Sequence, residues 1–187
     1  MNMNYIYIFV LFMIISGPAN MVHGSCNQKS DSMLFDELLT AMSKIKCSGE
    51  QTQRDVIPAF GASTATIKSL APDEIVKFEK VWTNIGNCYD SNTGVFIAPR
   101  HGIYQFSCSA MTNTGQTLRL PLYKNELSIV SIYPGNIGYN MGTLNMVLEL
   151  NQCDRVYIKH PNSSDENILY SESGSHFSMF SGYMISK

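Results

Sequence analysis

Apolar and polar positions alternate with a period of two over short runs along most of this chain, the pattern of half-buried strands. Tyr104, Phe106 and Cys108 share one face of such a run, and Leu118, Leu120 and Leu122 share one face of another. Val156 and Ile158 point together, with Tyr157 opposite. The runs predict strands at 57–65, 75–81, 95–97, 103–111, 117–124, 127–133, 143–150, 155–160, 168–171 and 177–185. Between them lie turns rich in Asn, Asp, Gly and Pro. Asp90 to Gly94 fits an Asx-type turn with positive φ at Gly94, and Pro99-Arg100-His101-Gly102 fits a type I turn. About ten short strands at this spacing predict an all-β sandwich rather than a parallel α/β sheet.

The period changes before residue 50. Leu34, Leu38, Ala41 and Ile45 form a short apolar seam at helical spacing, with Asp36 and Glu37 in the first turns and Lys44 and Lys46 in the last. This reads as a short helical arm, serving either self-association or packing on its own domain. At ~1.5 Å per residue the helix is about 22 Å long, too short to be stable by itself. Cys26 and Cys47 flank it and, across a helix, stand roughly 30 Å apart, well beyond disulfide reach. They are therefore candidates for interchain disulfides. Ser48 to Asp55 is polar and aperiodic, a linker.

Ahead of the arm, Ile6 to Ile15 is almost wholly apolar, then broken by Ser16-Gly17-Pro18 and followed by Val22-His23-Gly24. The run is too short to cross a bilayer comfortably, and the small residues fit a signal-peptidase site. The expected organisation is a signal peptide at 1–24, an arm and linker at 25–55, and a globular domain at 56–187. No second apolar run of membrane length follows, so a secreted chain without membrane insertion is expected.

Composition narrows the chemistry. With 13 basic and 15 acidic residues the chain is nearly neutral, without the basic excess of a nucleic-acid binder. His101, His160 and His176 stand near turns or strand ends, and no His-x-Glu, His-Glu-x-x-His or Cys-x-x-Cys spacing suggests zinc. There is no Gly-x-Ser-x-Gly elbow or phosphate loop, and no enzyme is expected. Asn162-Ser163-Ser164 is a glycosylation sequon, making Asn162 the expected acceptor in a secreted chain. Asp165 and Glu166 have the carboxylates to hold calcium, though the same run reads as a solvated loop. Five cysteines leave at least one free or joined to another chain. Cys108 reads as a buried thiol, and a Cys88–Cys153 bridge is the candidate intrachain disulfide.

One stretch carries a resemblance. Phe78 to Phe106 contains Phe78, Val81, Asn84, Gly86, Tyr89, Gly94, Phe96, Pro99, Gly102, Tyr104 and Phe106. With Ala59-Phe60 before it, and Asp154-Arg155-Val156 and Phe180-Ser181-Gly182-Tyr183 after it, this order resembles the globular head of complement component C1q. That family is related to the tumour-necrosis-factor jelly rolls, and the resemblance covers Pro58 to Ile185. It implies a ten-strand jelly-roll sandwich forming a homotrimer, with Phe60, Phe78, Tyr104, Phe106, Phe180, Gly182 and Tyr183 as core or architectural positions. In relatives the turn before Asp154 usually has Gly where Cys153 stands. Lys124-Asn125-Glu126-Leu127 likewise matches a hairpin usually built with Asn-Gly, so Glu126 costs energy if both central residues need positive φ.

No Gly-X-Y repeat occurs, so the collagen stalk of C1q is absent, as in secreted invertebrate sets of mollusc type. The function implied is multivalent recognition of microbial or other glycoconjugate surfaces in innate immunity. The loops at 112–117, 134–139 and 162–167 are the expected contacts. A cytokine-like or synaptic-organiser-like receptor ligand, and an extracellular structural or carrier protein, are the alternatives.

Overall fold

The computed structural model describes residues 56–162 and 167–187. The arm, its cysteines Cys26 and Cys47, and the acidic pair Asp165-Glu166 lie outside the described residues. One antiparallel layer contains, in spatial order, β3 (Lys80–Ile85), β1 (Ala59–Ser63), β12 (Met179–Ser186), β6 (Gly102–Thr112) and β9 (Asn140–Leu150). The facing layer contains β4 (Tyr89–Asp90), β5 (Val95–Ile97), β10 (Arg155–Ile158), β7 (Leu120–Lys124) and β8 (Leu127–Ile132). A small ribbon pairs β2 (Lys68–Ser69) with β11 (Ile168–Leu169). The result is an all-β jelly-roll-like sandwich.

Strict alternation makes the layers. Every second residue of β6 from Gly102 to Thr112 is buried, which turns Tyr104, Phe106, Cys108 and Ala110 inward. Those side chains meet an aromatic cluster built from both layers. Phe60 stacks on Tyr89 at 4.7 Å and on Phe96 at 5.3 Å, and meets Phe180 edge-on at 5.0 Å. Phe96 contacts Phe106 at 5.2 Å, and Phe78 contacts Phe180 at 5.7 Å. Offset and edge-on rings add to the large apolar area each buries. Gly182 belongs to this core by its lack of a side chain: a Cβ there would lie 2.6 Å from the Phe106 ring and 2.9 Å from the Phe60 ring.

Several expectations need correction. Tyr183 is not a core residue. It alternates outward from β12, is half-exposed, and donates its hydroxyl to Gln105 Oε1 at 3.0 Å. The Cys88–Cys153 bridge does not form. Cys88 and Cys108 are buried free thiols, while Cys153 is disulfide-bonded, with neither of them as its partner. Burial pushes the Cys88 thiol up to about 12 and raises that of Cys108 as well. The strand predicted at 75–81 starts later, at Lys80. Ile75 makes only an isolated antiparallel bridge with Lys159, and the buried Val76 and Phe78 belong to no strand. The Val76 N–H donates to the Ile158 carbonyl at 2.8 Å, and the Phe78 N–H to the Tyr89 hydroxyl at 3.1 Å. β2 and β4 were not predicted, since two residues carry no alternation.

The turns follow their chemistry more closely. Gly94 has φ of 77°, and a Cβ there would strike the Val76 carbonyl oxygen. In the β7–β8 hairpin Asn125 has φ of 54°, but Glu126 is not in the left-handed region, so the missing Gly costs nothing there. Cys153 itself has φ of 72°, the conformation that favours Gly.

A candidate recognition face at the distal end

Where the chain enters fixes which end of the sandwich is free. The Met184 N–H donates to the Pro58 carbonyl at 3.0 Å, and Arg100 Nη2 to the Val56 carbonyl at 2.7 Å. Val56, the end of β12, and the start of β6 therefore share the proximal end. Opposite it, β6 ends at Thr112, β8 at Ile132, and β9 begins at Asn140.

Two of the predicted contact loops meet at this distal end. Thr112 is fully buried, and its hydroxyl lies 3.4 Å from both the Gly135 and Asn140 carbonyls, tying the root of 112–117 to 134–139. The third segment is represented by its far side. The Tyr170 N–H donates to the Met111 carbonyl at 2.8 Å, and the Ser178 hydroxyl to the Tyr170 carbonyl at 2.9 Å. Tyr139 and Tyr170 contact at 4.9 Å, and Tyr170 and Phe177 at 6.1 Å. Glu172 accepts the Tyr170 hydroxyl and so raises that phenol above its ordinary range. Tyr133 and Tyr139 are exposed, and Ile137 is 86 % exposed at the loop's tip. Asn162 is exposed too, beside the part of its sequon outside the described residues.

Beside this aromatic row lies a cavity of about 330 Å³ lined by Gly61, Ser63, Trp82, His176, Met179 and Phe180. Trp82 Nε1 donates to Ser63 Oγ at 2.8 Å, and the Trp82 and His176 rings meet edge-on at 5.2 Å. His176 Nδ1 lies 3.2 Å from the Thr64 carbonyl and 3.3 Å from Ser63 Oγ. A carbonyl can only accept, so Nδ1 carries a proton and turns it toward Thr64. His176 has φ of 50°, uncommon for a side-chain-bearing residue, and its N–H donates to the Glu172 carbonyl at 3.2 Å. Sequence reasoning treated His176 as a turn histidine and missed the cavity. Ser63, Trp82 and His176 meet because β1 pairs with both β3 and β12. An isolated Gly inside a strand, Gly61, was the available signal.

The other two histidines of the domain stand apart from this cavity. His101 bonds Glu149 Oε1 at 3.1 Å near the proximal end, while His160 is buried with Nδ1 3.1 Å from the Ala71 carbonyl. Among the described residues no three His, Cys, Asp or Glu side chains stand where they can hold a metal ion together. Asp154 is a turn-stabilising carboxylate. Burial alone would raise its pKa, but bonds from Asn125, the Asn151 N–H and Lys124 prevail and lower it.

Residues 59–185, more than half of the chain, match the C1q domain family. The chain belongs to that family. Over 69 residues it is 38% identical to the heavy metal-binding protein HIP of Mytilus edulis; the match covers 36% of this chain and 32% of that one. It thus spans about a third of that curated relative. Among solved structures, the globular domain of zebrafish complement 1qA is 20% identical with a TM-score of 0.54, covering 68% of this chain and 97% of that one. Murine APRIL is 14% identical at 0.53, covering 69% and 99%, and the Eiger TNF of S. frugiperda is 12% identical at 0.54, covering 70% and 93%. At these identities the three share the fold. C1q domain proteins are recognition or ligand proteins, and among the described residues no helix is long and apolar enough to cross a membrane.

Proposed function

We propose that this chain is a secreted recognition protein whose heads bind microbial or other glycoconjugate surfaces through the distal end. The observation carrying this reading is the meeting of the 112–117 and 134–139 loops with the Tyr139–Tyr170–Phe177 row, opposite the chain's entry. Aromatic faces stack on the C–H faces of sugars, and the amides and hydroxyls around them pair with sugar hydroxyls. One such site binds weakly. Several heads held together gain avidity without any new contact.

Assembly into a trimer fits the outward face of the first layer. Tyr183, Gln105 and Val147 are register partners across β12, β6 and β9, and Tyr183 and Val147 are exposed. Ile185 and Met179 extend that apolar surface. The helical arm and an interchain disulfide from one of its cysteines, Cys26 or Cys47, are proposed to reinforce the assembly, and Asn162 to carry a glycan.

A test is binding of the secreted oligomer to a panel of microbial polysaccharides and cells, with and without a calcium chelator, beside the Pro58–Lys187 head. Binding by the oligomer that weakens in the armless head supports the reading. Absence of binding to every surface sinks it. A second reading, an extracellular metal carrier, draws on the name of the Mytilus relative. Isothermal titration with cadmium and zinc tests it; heat from binding at stoichiometric metal supports a carrier, and silence removes it.

A further inference from the structure

The partner of Cys153 follows by elimination. The chain has five cysteines, Cys26, Cys47, Cys88, Cys108 and Cys153. Cys88 and Cys108 are buried free thiols, whereas Cys153 is disulfide-bonded. The structure contains one chain, so that bond is internal to it. Only Cys26 and Cys47 remain, and both precede the head. The bond therefore joins the head to the segment that carries the helical seam. Position 153 has a second peculiarity: its φ of 72° favours Gly, and a residue kept there against backbone strain points to a use for its side chain.

Chain reach separates the two candidates. The Val56 carbonyl accepts from Arg100 Nη2 at 2.7 Å, and the Cys153 N–H donates to the Ala98 carbonyl at 2.8 Å. Both are thus held by the 98–100 stretch at the proximal end. Cys47 lies nine residues before Val56, a segment that spans up to about 30 Å when extended. That is ample for a turn anchored to the same stretch, and the 48–55 linker contains no Pro to stiffen it. Cys26 lies thirty residues before Val56, with the predicted helix between, so closing its loop costs more conformational entropy. The receiving turn is braced. The Asp154 carboxylate accepts from the Asn151 N–H at 2.9 Å and from Asn125 Nδ2 at 3.0 Å, and pairs with Lys124 Nζ at 3.2 Å.

We infer that Cys47 and Cys153 form an intrachain disulfide that ties the root of the arm to the proximal end of the head. Its formation joins the two sulfurs. Each thiol gives up its proton, and the pair passes two electrons to a protein-disulfide donor of the secretory route, which is reduced to its dithiol. For that oxidant the inference rests on the secreted reading. The bond fixes where the arm leaves the head, on the side opposite the distal loops, instead of leaving it on a free linker. It also leaves Cys26 as the single cysteine for joining chains, because Cys88 and Cys108 are buried. One cysteine per chain links chains only in pairs.

The test is tryptic mapping of the full chain recovered from the medium of expressing cells, denatured and alkylated without reduction. Trypsin puts each cysteine in a peptide of its own, Cys47 in 47–54 and Cys153 in 125–155. These two should appear as one linked mass that splits on reduction, while the Cys88 and Cys108 peptides carry the alkyl group. A 125–155 peptide linked to the Cys26 peptide overturns the inference, as does an alkylated Cys153. Cys47 of one copy bonded to Cys153 of another would give the same mass, so a non-reducing gel of Cys26→Ser is the second measurement. A single-chain band is expected, and a band of two or more chains overturns the intrachain bond. The mapping reads the bond whether or not any surface is bound. The linked mass without surface binding leaves the tether standing and removes the recognition function; surface binding with Cys153 alkylated does the reverse. A chain held in the cytosol with every thiol alkylated removes the secreted reading and the tether with it.

Discussion

At the residue scale, position 182 shows how an absent side chain holds a core. The Phe60 and Phe106 rings occupy the space that a Cβ on Gly182 would fill, and both rings are buried. Gly182→Ala forces one ring off its rotamer and should destabilise the head by about 1–3 kcal/mol in a denaturant titration. An unchanged midpoint would show that the rings can give way. Asp154 links stability to pH. Its carboxyl is more acidic folded than unfolded, so its contribution is complete above the unfolded value of about 3.9 and is lost as pH falls through the folded value. The stability gap between the native chain and Asp154→Asn should therefore be constant at neutral pH and close in acid. A gap that widens on acidification contradicts the assignment.

The β7–β8 hairpin shows how elements are joined by a turn residue. Asn125 Oδ1 accepts the Arg155 N–H at 2.9 Å and Asn125 Nδ2 donates to Asp154 Oδ1 at 3.0 Å, stitching the hairpin to the turn before β10. Asn125 also sits in the left-handed region, where a Cβ without a polar group is penalised. Asn125→Gly should lose the two side-chain bonds, and Asn125→Ala should cost about 1 kcal/mol more for its backbone. Equal melting temperatures for the two variants would remove the backbone part of the account. The strand periods of β6, β9 and β12 were legible because alternation over many residues leaves one solution. The crossing at 75–78 was not, since its apolar residues alternate like a strand while its backbone bonds go to the Tyr89 hydroxyl and to Ile158.

For the whole molecule, the question is what covers the outward face of the first layer. Val147 and Tyr183 share a register row on it, both exposed and apolar or aromatic. A charge there interferes with any copy packed against it and with little inside the head. With interchain disulfides reduced, Val147→Lys should shift the mass from oligomer to monomer by light scattering, with the head's melting transition retained. An unchanged mass would place the assembly contact elsewhere. The distal loops point away from the proximal end where the chain enters, so heads gathered by their arms would present them together.

The sequence by itself determined the strand periods, the chemistry of the turns and most of the aromatic core, because these depend on neighbours two to four residues apart. It also carried the family, through the order of its aromatic and glycine positions. Three matters were decided by the tertiary structure. Tyr183 faces out although its motif partners Phe180 and Gly182 face in, since a period of two places alternate residues on opposite sides. Cys88 is a free thiol, because connectivity depends on distances that spacing does not give. The Ser63–Trp82–His176 cavity exists because β1 lies between β3 and β12, bringing together side chains up to 113 positions apart. Local chemistry is written in the order of residues, whereas a binding site is written in which strands become neighbours.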